Sequence, residues 1–96
     1  MPDRPSDAAA HTYLVEHYHP GVRAGELERV VAEVRRSIAE MQHEGRPVSY
    51  VSSTIVPGDD YLHCVLRAPS EQLVRDAVSR AGLAYQRISS AISVPS

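Results

Sequence analysis

The apolar positions change their period along the chain, and each change marks an element. Residues 12–19 read T-Y-L-V-E-H-Y-H, rich in aromatic and branched side chains and closed by Pro20-Gly21, the pattern of a strand that ends in a turn. Over residues 24–44 the apolar Leu27, Val30, Val31, Val34, Ile38 and Met41 recur at helical spacing with Glu28, Arg29, Arg36 and Glu40 on other positions, and Gly45 supplies a left-handed stop. Residues 47–56 carry Val48, Tyr50, Val51, Ile55 and Val56 as a second strand. The turn sequence Pro57-Gly58-Asp59-Asp60 joins it as a hairpin to a third, residues 61–67. Ser70 is placed to cap a second helix whose stripe is Leu73, Val74, Ala77, Val78 and Ala81 and whose stop is Gly82, leaving residues 84–94 to close as a fourth strand.

The resulting order is βαββαβ, the split-βαβ arrangement of ferredoxin-like α+β domains: a four-stranded antiparallel sheet with two helices on one face. A weak internal echo agrees with two related halves, since Tyr13-Leu14 leads to Pro20 and Glu26-Leu27 much as Tyr61-Leu62 leads to Pro69 and Glu71-Gln72-Leu73. Strands one and three are expected side by side at the centre, as a parallel pair. Alternation in strand three assigns Leu62, Cys64 and Leu66 to the helix side and Tyr61, His63 and Val65 to the open side. In strand one, setting Leu14 on the helix side leaves Tyr13, Val15, His17 and His19 on the open side. Such an open face is too apolar for water and suits a dimer interface or a ligand chamber. The domain is expected over residues 11–94, after a disordered tail at residues 1–10.

Size sharpens the expectation of a dimer. With 96 residues and 43% hydrophobic content, the chain has enough for one sheet and one helical layer, and sharing a sheet face with a second copy adds burial that one chain lacks. Ten basic and twelve acidic residues, scattered to a net charge of −2, leave no basic stripe for DNA, RNA or an anionic membrane. Every basic residue is Arg, and Lys, Asn, Phe and Trp are missing, a bias expected of a GC-rich genome. The lone Cys64 allows neither an internal disulfide nor a Cys-x-x-Cys pair, so the cytoplasm is the expected compartment. The opening M-P-D-R-P-S-D-A-A-A lacks the apolar stretch of a secretory signal, and no apolar run approaches bilayer length.

The candidate chemistry lies in the five histidines, His11, His17, His19, His43 and His63. His17 and His19 stand two apart on one strand and so point the same way, and with His63 assigned to the same face the three are expected to converge. Neutral imidazole is a good ligand for nickel, zinc, copper and iron. His17, His19 and His63 are therefore the metal candidates, against the plainer reading that strand-end histidines are only solvated or hydrogen-bonded. Glu16 alternates away from His17 and is expected on the helix side. Asp59 and Asp60 offer oxygen ligands, or else serve as turn residues bonded to their own backbone. Cys64 falls between Leu62 and Leu66, the setting of an inert buried thiol. Nothing resembles a Gly-rich phosphate loop, a nucleophile elbow or paired helical carboxylates beside a His.

Three segments carry a resemblance: Y-L-V-E-H-Y-H-P-G-V at residues 13–22, S-T-I-V-P-G-D-D-Y at 53–61 and A-P-S-E at 68–71, with A-G-L-A-Y-Q-R-I at 81–88 extending it. They resemble the small actinobacterial nickel-binding proteins of ferredoxin-like fold, a group otherwise recorded as a domain of unknown function. The resemblance implies a cytoplasmic, non-enzymatic homodimer that binds nickel through histidines and oxygen ligands, for sequestering or buffering the ion. His17 and His19 carry over within the first motif, while Asp60 rests on its presence in the matched turn and His63 on strand geometry. Two other classes compete. One is a small dimeric enzyme of the cofactor-free monooxygenase or polyketide-tailoring type, a reading by fold analogy. The other is a dimerisation module whose histidines are ordinary surface groups.

Overall fold

The elements form where the periodicity puts them. In the computed structural model, which describes residues 10–56 and 58–92, they are β1 (His11–Tyr18), α1 (Ala24–His43), β2 (Ser49–Val56), β3 (Tyr61–Ala68), α2 (Glu71–Arg80) and β4 (Arg87–Ala91). Residues 1–9 of the expected tail and residues 93–94 of the expected domain lie outside the described residues. Both helices stop at glycines in the left-handed region, Gly45 at φ 81° and Gly82 at φ 77°, where a side chain would be strained. Ser70 is the N-cap of α2 but makes no side-chain capping bond.

The four strands form one antiparallel sheet in the order β2-β3-β1-β4. The chain belongs to the ferredoxin-like α+β class, with the helices on one face. The central pair corrects the expectation of parallel neighbours. The crossover through α1 returns the chain so that β2 runs in the direction of β1, and the hairpin then reverses β3, which pairs antiparallel with β1.

Register fixes the second correction. Tyr13, Val15 and His17 stand directly opposite Leu66, Cys64 and Leu62, so this set of β1, not Leu14, shares the helix side. Leu62, Cys64, Leu66 and Val15 are fully buried there, with Tyr13 8% exposed. Val34, Ile38 and Met41 of α1 and Val74, Ala77 and Val78 of α2 close over them, and Ser37 satisfies its buried hydroxyl by donating to the Ala77 carbonyl at 2.7 Å. The opposite face takes Leu14, Glu16 and Tyr18 from β1 and Tyr61, His63 and Val65 from β3, with Glu16 paired across the strands to His63. Glu16 is thus on the open side. On the edge strand β2, a bulge between Tyr50 and Ser52 leaves Val51 half exposed.

Among the described residues no helix is long and apolar enough to cross a membrane.

Candidate metal centre

The C-terminal end of β1 brings two of the sequence's metal candidates together. His17 and His19 lie with their ring centroids 5.6 Å apart at 88°, edge to face. The alternation that puts Val15 on the helix side carries His17 to the same side one step further, at the end of the sheet where the segment between α2 and β4 crosses. There the His17 Nδ1–H donates to the Ala84 carbonyl. A carbonyl can only accept, so Nδ1 holds the proton and Nε2 keeps the lone pair in the neutral ring. The same crossing segment is pinned by Gln86, whose N–H donates to the Glu16 carbonyl at 2.8 Å and whose side-chain oxygen accepts from the Tyr18 N–H.

His19 follows the strand, in the approach to Pro20-Gly21. Its Nε2 lies 3.0 Å from Oε2 of Glu26, in the first turn of α1. An ionised carboxylate also only accepts, so Nε2–H is the donor and Nδ1 is left with the lone pair when the ring is neutral. Each imidazole therefore has one nitrogen committed as a donor and one left over. This division fixes the tautomer of metal-ligating histidines in general, where the far N–H is held by a carboxylate or a backbone carbonyl.

Asp60 stands at the same end with a supporting contact. It adopts φ 58°, which Asp tolerates better than most residues. Its carbonyl accepts the His19 N–H at 2.7 Å, and its Oδ1 accepts the Gly21 N–H at 3.2 Å. The side chain thus bonds the neighbouring turn rather than its own backbone, and the path of the His19 segment depends on a residue of the β2–β3 hairpin.

His63 does not join this group. It points to the open face, opposite Glu16, with Tyr61 beside it at 6.1 Å between centroids. The expected convergence of His17, His19 and His63 fails because β1 sits in the other phase, which sends His17 and His63 to opposite sides of the sheet. On the open face the residues fall in rows across the strands. Thr54, His63, Glu16 and Arg87 form a polar row, with Arg87 Nε 3.4 Å from Glu16 Oε2. Val65 and Leu14 lie on one side of it. On the other are Val56, Tyr61 and Tyr18, the two tyrosine rings 5.4 Å apart.

Cys64 is buried on the helix side, where burial pushes its thiol pKa up against the weaker pull of a contact with Ser53 Oγ at 3.0 Å. That is the inert thiol its position predicts.

The sequence pattern described as nickel responsive protein SCO4226-like matches residues 13–90. The chain belongs to the SCO4226-like nickel-responsive protein family. The crystal structure of SCO4226 from Streptomyces coelicolor A3(2) aligns with it at a TM-score of 0.73 and 17% sequence identity, covering 86% of this chain and 99% of that one. At that identity the likeness establishes the fold. No curated protein matches the chain.

Against that family name, the donor set passes in kind and falls short in number. Imidazole nitrogen suits nickel. Among the described residues, however, no three His, Cys, Asp or Glu side chains stand close enough to hold one ion together. The sequence reading missed two residues that shape the pair. Glu26 reads as an ordinary acidic residue at a helix start, and the Ala84 carbonyl leaves no mark in a sequence at all.

Proposed function

We propose that this protein binds nickel as its cargo, as a homodimer in the cytoplasm, and serves to sequester or buffer the ion. One observation carries the reading. His17 and His19 are neighbours whose second nitrogens are each tied down as donors, which leaves a lone pair on each ring for a divalent cation and fixes both rings before the ion arrives. Two imidazoles alone would leave the other positions of a bound ion to exchangeable ligands, as befits an ion that must be taken up and released. Asp60 acts first by holding the His19 turn, and its carboxylate is the further oxygen ligand that this reading retains from the sequence candidates. His63 belongs to the other face and takes no part in this pair.

The dimer forms through the open sheet face. On the two central strands apolar pairs, Val65 with Leu14 and Tyr61 with Tyr18, flank the charged Glu16, so a second copy of the same face can meet apolar pairs with apolar pairs and Glu16 with a cation. The lone, buried Cys64 is in keeping with a reducing compartment.

Isothermal titration of metal-stripped protein with nickel, zinc and copper, with the mass of the assembly measured by light scattering, tests this reading. The expected result is one nickel per chain, lost in a His17→Ala/His19→Ala double variant and kept in His63→Ala. An unchanged affinity in the double variant removes the pair from the site. Copper and zinc serve as competitors, because copper binds many nitrogen sites more tightly than nickel does.

A further inference from the structure

The opposite end of the sheet holds a cavity that the nickel reading does not use. It has a volume of about 550 Å³ and lies where the link from α1 to β2, the start of β2 and the end of β3 come together. That is within the range of sites for small organic molecules. Its walls are mixed, with Pro47, Val48, Tyr50 and Pro69 beside Gln42 and Ser49, and its charged lining is all of one sign: Arg46 and Arg67, with no Asp or Glu.

The two guanidinium groups are in different states. Arg46 is bonded through one nitrogen to Asp76. That carboxylate also accepts from Gln72 Nε2 at 2.9 Å, so Arg46 shares its counter-ion and is held in place with most of its five N–H donors unused. Arg67 lies on the exposed end of β3 and has no ion-pair partner among the described residues. Behind the wall, the Arg35 guanidinium sits 5.1 Å from the centre of the Tyr50 ring and adds a third positive charge on that side. An arginine with a fixed fork, a second with no ion-pair partner among the described residues, and aromatic and aliphatic side chains in the same lining match a molecule with an anionic head and a flat apolar body.

We infer that this cavity is a binding site for a small organic anion, a carboxylate or phosphate carried on an apolar or aromatic body, at the far end of the sheet from His17 and His19. The anionic head pairs with Arg67 and the free edge of Arg46, and the body lies against Tyr50 and Pro47. The site stands independently of nickel binding, since it shares no residue with the histidine pair.

The test is a titration of the full-length, isotopically labelled chain with phenyl phosphate, followed by amide chemical shifts in the presence of a chelator, with inorganic phosphate and phenol as separate probes. Saturable shifts confined to the amides of Arg46, Val48 to Val51, Arg67 and Ala68 are expected, with a dissociation constant below about 1 mM. Inorganic phosphate and phenol should each bind about tenfold more weakly, because each supplies half of the contacts. Arg67→Gln should weaken phenyl phosphate by about tenfold through the loss of a charge-assisted pair, while His17→Ala leaves it unchanged. Arg67 is exposed, so this variant keeps the fold intact even if Arg46→Gln does not. Shifts scattered over the surface, phosphate binding as tightly as phenyl phosphate, or wild-type affinity in Arg67→Gln would each overturn the inference.

Discussion

The two faces of the sheet are built from similar residue types and do different work. On the helix side Val15, Leu62, Cys64 and Leu66 are wholly enclosed by α1 and α2, and the polar groups there, such as Ser37, have partners. On the open side Leu14, Val65 and Tyr61 are only partly covered, Tyr18 is 44% exposed, and a charged row runs between them. Hydrophobicity alone does not separate the faces. The difference lies at the centre of the sheet: on the enclosed face Tyr13, Val15, Leu62, Cys64 and Leu66 run on as one apolar patch beneath the helices, whereas on the open face Glu16 and His63 interrupt Leu14, Val65, Tyr18 and Tyr61 with groups that must stay hydrated or meet a counter-charge.

Substitutions that treat the faces alike should expose this difference. The largest effect is expected from Leu62→Ala, which opens a cavity under the helices and lowers unfolding free energy in urea by about 2–5 kcal/mol. Val65→Ala on the open face of the monomer should stay below about 1 kcal/mol. Equal losses at the two positions would mean that the open face is as tightly covered as the core. Tyr18→Asp with Tyr61→Asp should halve the mass seen by light scattering at little cost to the monomer's thermal midpoint, and a surviving dimer would move the interface elsewhere.

Smaller still, Ser37→Ala removes one buried hydrogen bond whose acceptor, the Ala77 carbonyl, keeps the Ala81 N–H at 3.1 Å. The expected loss is about 0.5–1.5 kcal/mol. The least effect comes from acid. Hydrogen bonds from Gln72 and Arg46 hold the Asp76 carboxyl below the ordinary range, and those from Arg80 do the same for Glu44. The unfolded chain then takes up these protons at higher pH than the folded one. The stability they lend is complete above the unfolded values near about 4 and is lost as pH falls through the depressed folded values. Glu44 is exposed and Asp76 about one-third exposed, so the contribution is small: Asp76→Asn with Glu44→Gln should lower stability slightly at neutral pH, leave it unchanged below the depressed values, and so flatten the acid limb of the profile.

Strand β3 was legible because alternation there sets Leu62, Cys64 and Leu66 against a row broken by His63. Strand β1 was not, because both its phases are apolar: Tyr13 and Val15 compete with Leu14 and Tyr18, and only the pairing of Val15 with Cys64 resolves the tie. That single step of phase separates His63 from His17 and places Glu16 beside His63. His17 and His19 stay close, their rings 5.6 Å apart, although β1 ends at Tyr18 and strand alternation therefore does not fix the side of His19. Their fixed orientation was not legible. It depends on Glu26, brought in by the turn at Pro20-Gly21, and on a backbone oxygen at Ala84.

The bulge at Val51 bears on how this protein behaves when crowded. A sheet of four strands has two free margins, and each is an invitation for another chain to add a strand and begin a fibre. On the β2 margin the extra residue throws the repeat out of step, so a visiting strand loses its register after a few residues. Growth from that margin is therefore self-limiting.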